Sequence, residues 1–228
     1  MLTRYHATTE GASDFAILPA IDLRGGRVVR LEQGDFARET AFSDDPVAVA
    51  HAFADAGARW LHVVDLDAAR DASSGQGTIS AAIVDAVGDR LAVEVAGGLR
   101  TQEAVAAALA GGAARAVIGT AALSDPAFVG TLVGTHGAQR LAVALDVRDG
   151  LAVGHGWQSG APGTLVQEAL RALADVGVTT FEVTAIDRDG TLGGPDLALY
   201  ERLVALQRGA IIASAGIASV GSVPPQTS

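Results

Sequence analysis

The segment ILPAIDLRGGRVVRL at 17–31 returns in altered form as LAVALDVRDGLAVG at 141–154, and ADAGARWLHVVDLD at 54–67 returns as ADVGVTTFEVTAID at 174–187. Two echoes at nearly one offset, 124 and then 120 residues, mean that one supersecondary plan is used twice in one chain. The echoes place Asp22 and Asp146 alike, each closing an apolar strand and opening a glycine-containing loop. Matched carboxylates predict a doubled fold with a paired acid–base site.

Composition narrows the choices. A chain of 228 residues, 49% hydrophobic and 18% charged, has core enough for one barrel-sized domain. Its net charge of −10 opposes nucleic acid and anionic membrane surfaces, so neither is expected as a partner. With no cysteine, disulfides and thiolate chemistry are excluded. All 16 basic residues are arginine, which excludes a lysine Schiff base. No apolar run reaches membrane-spanning length, and the first 14 residues lack a signal-peptide core, so a cytoplasmic protein is expected.

Short apolar runs alternate with longer amphipathic ones, the pattern of βα units around a mostly parallel sheet. Strands are predicted near 15–21, 60–66, 91–96, 115–118, 140–146, 179–185 and 210–214. Helices are predicted over 45–57, 78–88, 101–111, 125–135, 163–176 and 196–208. Asp45 before Pro46 and Asp125 before Pro126 each supply a cap followed by a first-turn proline. The expected fold is α/β, a (βα)8 TIM barrel built from two half-barrels and lacking its last βα unit, because ASVGSVPPQTS at 218–228 continues neither strand nor helix. The expected organisation is a flexible extension over 1–14, the barrel over 15–217 and an irregular tail over 218–228.

Barrel chemistry gathers at the strand-to-helix loops. VAGGLR at 95–100 sets Gly97 and Gly98 between a strand and a helix, and VIGTAAL at 117–123 does the same for Gly119 and Thr120. Such turns present backbone N–H groups to a phosphate. By symmetry Ser214 and Gly216 form half of a second phosphate site, which implies a small-molecule substrate with phosphates at both ends. Asp22 and Asp146 would flank its middle as general acid and base. Thr184 and Asp189 add a hydroxyl and a carboxylate on strand six and its loop, although Asp187, Asp189 and Gly190 also suit an ordinary turn. His155 and Trp157 are placed to bind or stack on substrate, or to anchor their loop. Arg30 fits an anion partner or a structural ion pair. Asp65 and Asp67 have the look of a metal pair but no further ligands cluster near them in sequence, so no metal is expected; His62 reads as structural.

Taken together, PAIDLRGGRVVRLEQGDF (19–36), ETAFSDDPVAVA (39–50), WLHVVDLDAA (60–69), VAGGLR, VIGTAAL, HGWQ (155–158) and DRDGTLGGPDL (187–197) resemble the isomerase/cyclase barrel family of histidine biosynthesis. Within it the likeness is to the phosphoribosylformimino-AICAR-phosphate isomerases, over about residues 16 to 217. The resemblance implies an Amadori aldose-to-ketose rearrangement without metal or cofactor, in a protein that is a monomer when complete. It makes Asp22 and Asp146 the proton acceptor and donor, Thr184 and Asp189 substrate-site residues, and Asp189 a further candidate acid. Ala185 stands where relatives usually carry Asp, and Ala215 replaces the first glycine of a phosphate loop. The alternatives are a dual-substrate isomerase that also acts on phosphoribosylanthranilate, against which His155 replaces an expected arginine, and a truncated non-catalytic remnant. The related cyclase is disfavoured because its strand-one motif continues into a lysine.

Overall fold

The computed structural model describes residues 16–71, 75–154, 163–191 and 193–216. They form two compact units, one of residues up to Arg30 with Ala41–Ala116, the other of Leu31–Thr40 with residues from Val117 onward. The fold is α/β.

The chain opens with β1 (Ala20–Arg24), β2 (Arg27–Glu32) and β3 (Asp35–Ser43). Helix α1 (Pro46–Asp55) follows, with the Asp45 carboxylate accepting the Ala48 N–H at 2.9 Å and proline in the first turn, as its sequence predicts. Then come β4 (Trp60–Asp65), α2 (Leu66–Arg70), α3 (Gly77–Val87), β5 (Ala92–Ala96), α4 (Gln102–Ala110) and β6 (Arg115–Ile118). In the first unit β4 lies between β1 and β5, parallel to both. Their apolar residues are wholly buried at Ile21, Leu23, Leu61 and Val63, and α1 and α3 pack Ala50, Ile83 and Val87 over them. Each Val, Leu or Ile among them contributes roughly 1.5–3 kcal/mol by leaving water.

The second unit carries α5 (Thr120–Ser124), α6 (Pro126–His136), β7 (Leu141–Arg148), β8 (Leu151–Val153), β9 (Thr164–Leu165) and α7 (Val166–Asp175). It continues with β10 (Thr180–Ala185), a 3-10 turn at Ile186–Arg188, α8 (Leu197–Val204) and β11 (Ala210–Ser214). Here β10 lies between β7 and β11, parallel to both. Among the described residues no helix is long and apolar enough to cross a membrane.

All seven expected strands are present, but β2, β3, β8 and β9 are additions. Asp22 does not close its strand: β1 runs on to Arg24, turns through Gly25 and Gly26 at φ +54° and +83°, and pairs antiparallel with β2. Likewise β7 continues past Asp146 to Arg148, and Asp149 and Gly150, at φ +51° and +78°, turn it into β8. Two consecutive positive φ angles make the tight hairpin that Gly-Gly and Asp-Gly favour, so what reads as loop is strand. The predicted segments 1–14 and 218–228 lie outside the described residues.

Tyr200 of α8 braces the second unit: its hydroxyl donates to the Ser214 carbonyl at 2.5 Å and lies 3.3 Å from that of Val183. Burial pushes the phenol up to about 12 from its ordinary 10.0. The folded chain therefore holds this proton more tightly than the unfolded one. Its contribution to stability is complete below about pH 10 and is lost as pH rises through 12. Replacing Tyr200 with Phe should flatten the alkaline part of the stability profile between those limits, measured by urea unfolding at stepped pH; an unchanged slope would exclude this assignment.

Candidate active site

The two units match at the level of hydrogen-bond register. Asp22 pairs with Val64 on one side and Val29 on the other, and Asp146 pairs with Thr184 and Val153. Val64 in turn pairs with Ala96, and Thr184 with Ser214. Each carboxylate is thus one end of a rung across three parallel strands, flanked by its own hairpin. Rung partners project from the same face of a sheet. Asp22, Asp146, Thr184 and Ser214 are all half-buried, whereas their strand neighbours Ile21, Leu23, Leu145 and Val183 are buried. The second rung is polar throughout, a carboxylate beside two hydroxyls, so three predicted site residues share one line. The first offers only Asp22 beside Val64 and Ala96.

Directly past each rung the third strand turns in the same way. Gly97 and Gly98 have φ of +96° and +71°, and Ala215 and Gly216 have +80° and +74°. A Cβ on Gly98 would lie 2.6 Å from that of Ala68, so glycine is required there by contact as well as by conformation. Ala215 adopts the backbone of its glycine counterpart despite its side chain, a strain of roughly 1 kcal/mol. The other predicted phosphate turn places Gly119 and Thr120 at the start of α5, both half-buried, with the Thr120 methyl facing Gly154.

Asp189 ends the 3-10 turn after β10, half-buried, its N–H donating to the Ile186 carbonyl at 3.1 Å. The next residue, Gly190, at φ +71°, rests against Glu32. Arg30 is exposed on β2. His155 and Trp157 lie outside the described residues.

Asp65 and Asp67 are loop anchors. The two Asp65 oxygens accept the N–H groups of Ala68, at 2.9 Å, and of Gln76. Burial pushes the Asp65 carboxyl above its ordinary value, against these hydrogen bonds. His62 is buried and shares a hydrogen bond of 2.7 Å with Glu94. Arg115 grips the other Glu94 oxygen at 2.7 and 2.5 Å and stacks 4.3 Å from the centre of the Trp60 ring. Burial alone would raise Glu94, yet the His62 hydrogen bond and the charges of His62 and Arg115 hold it below its ordinary value. Sequence reasoning missed Glu94, Arg115 and Tyr200. A charge at the third position of an otherwise apolar strand was the available signal for Glu94.

A parallel-stranded α/β protein with a strand-borne carboxylate repeated at one register, each followed by a left-handed turn, has the form of a duplicated βα enzyme. The family model described as "Histidine biosynthesis protein" matches residues 16–225. This chain belongs to that family. It is 48% identical to the 1-(5-phosphoribosyl)-5-((5-phosphoribosylamino)methylideneamino)imidazole-4-carboxamide isomerase of Thermomicrobium roseum, over 89% of this chain and 82% of the relative. Proteins of the same name from Moorella thermoacetica and Geobacillus kaustophilus are 45% and 41% identical, each over 90% of this chain and 82% of the relative.

Proposed function

We propose that this chain is an intramolecular aldose–ketose isomerase acting in histidine biosynthesis, on the ribosylaminomethylidene imidazole carboxamide named in its relatives. The reaction opens the ribose ring at its C1–O bond, and every other change is a proton transfer: onto the ring oxygen, off C2, and onto C1 as the ketose forms. An acid protonates the ribose ring oxygen and the ring opens to an iminium; a base then removes the C2 proton, and the resulting enolamine collapses to the aminoketose. Carboxylates suffice for these transfers. Asp22 and Asp146 are the proposed pair, with Asp189 as a further acid. The observation that carries this reading is the shared register: Asp22 on Val64 and Asp146 on Thr184 occupy one point of a plan used twice.

In the finer reading, residues 15–217 form one barrel domain of the (βα)8 type, built from two half-barrels, with seven of its βα units recognisable. Gly97, Gly98, Gly119 and Thr120 take one substrate phosphate, and Ser214 and Gly216 contribute to the second. Arg30, His155, Trp157 and Thr184 line the ligand between them. The complete protein works as a cytoplasmic monomer. The test is to incubate the purified chain with the aldose substrate and follow the ketose carbonyl by carbon-13 NMR, with phosphoribosylanthranilate in a parallel tube. Conversion of the first and not the second is expected. A chain that leaves the first substrate untouched would refute the proposal.

A further inference from the structure

One residue past each rung, the middle strand carries Asp65 in the first unit and Ala185 in the second. Asp65 is 4% exposed, and its two oxygens hold the N–H groups of Ala68, in the first turn of α2, and of Gln76, just before α3. From α2, Asp67 accepts the Gly25 N–H at 2.8 Å and the Gln76 side-chain N–H at 3.0 Å. Gly25 belongs to the turn that immediately follows the Asp22 strand. On the other side Gly97 and Gly98 fit against the backbone of Asp65 and the side chain of Ala68, and Arg100 donates to the Ala69 carbonyl at 2.5 Å. The turns after β1, β4 and β5 thereby meet on the one segment, Asp65 to Gln76, that the Asp65 carboxylate ties at two points.

The second unit carries alanine at this point. Beside the Ala185 methyl lies a cleft of about 240 Å³, lined by Asp187, Arg188 and Asp196 among others. Asp187, the counterpart of Asp67, is exposed and 3.9 Å from Arg148. Strand, turn and helix form there all the same, so a carboxylate at this point is not needed to build the unit. In the first unit Asp65 caps α2 through Ala68, where the second unit has a 3-10 turn, and its second oxygen adds a tie to Gln76 that fixes the return toward α3.

On the functional reading above, we propose that Asp65 is a positioning residue for the isomerisation, holding the Gly97–Gly98 phosphate turn and the turn beyond Asp22 in fixed relation. Asp65→Asn retains one acceptor oxygen but turns an amide donor toward the other N–H, so one of the two ties is lost. Gln76→Ala removes only the side-chain tie to Asp67. Expected for Asp65→Asn are a turnover number lower by about tenfold and weaker binding of inorganic phosphate by about fivefold, with a smaller change of the same sign in Gln76→Ala. Phosphate affinity is read by calorimetric titration and integrity by cooperative thermal melting. If both variants keep the turnover and phosphate affinity of the unmodified chain and change only in melting temperature, the role is structural and the proposal fails. An unmodified chain that does not isomerise would count against the functional reading instead; the phosphate titration would still decide whether Asp65 sets the turn.

Discussion

Asp22→Asn and Asp146→Asn should each lower turnover by about 10²-fold or more while substrate affinity stays within a few-fold. Asparagine keeps the size of the side chain and its place on the rung, and removes only the capacity to exchange a proton. Steady-state kinetics on both variants, with KM reported apart from kcat, give the readout. A loss confined to KM would mean that the carboxylates bind rather than catalyse. Near-normal turnover in both would remove the pair from the mechanism and leave Asp189 as the acid to test.

Arg115→Ala should be among the most damaging changes outside the rungs. Glu94 is 1% exposed and depends on the Arg115 guanidinium for one of its oxygens. Removing one partner of a buried ion pair leaves an uncompensated charge and costs about 3–5 kcal/mol. The loss of stacking on Trp60 adds to this. At this chain length the cost corresponds to a fall in melting temperature of roughly 10 °C. Pairing the change with Glu94→Gln should recover much of it, because the stranded charge is then gone. A fall of under about 2 °C in the single variant would show that Glu94 has another adequate partner.

The parts of this protein that were legible in its sequence are those where burial writes a pattern. Ile21, Leu23, Val63, Val93 and Leu145 announce their strands because each must be apolar to be buried. The caps at Asp45 and Asp125 are equally plain, since a side-chain acceptor before a proline has few other uses. The arm of β3 left no such mark, for it is mostly exposed and mixes charge with apolar residues. The same holds for the hairpin turns, where Gly25–Gly26 signals a bend without saying that strand resumes on both sides.

Asp65 illustrates the harder limit. In sequence two aspartates spaced by one residue suggest a cation, and only the fold reveals that backbone N–H groups from Ala68 and Gln76 occupy the first of them. Glu94 and Arg115 lie on separate strands, 21 residues apart, so nothing local joins them. For the rungs the position was different: the repeat identified both aspartates, and the structure added that Thr184 and Ser214 complete the second line.

The separation of equivalent residues is 124 from Asp22 to Asp146, 120 from Val64 to Thr184, and 118 from Ala96 to Ser214. Along any one strand it does not change. Every insertion or deletion that separates the two copies has therefore fallen between strands, four residues before α1 and α7 and two more on the way from α3 and α8 to the next strand. A slip of one residue within a strand would turn its carboxylate to the opposite face, whereas a connection absorbs it. The duplication thus preserves, inside a single molecule, a record of where length has drifted freely. Of those joints, the ones after α3 and α8 hold no proposed site residue, so a tag or a fused domain belongs there rather than before α1 or α7.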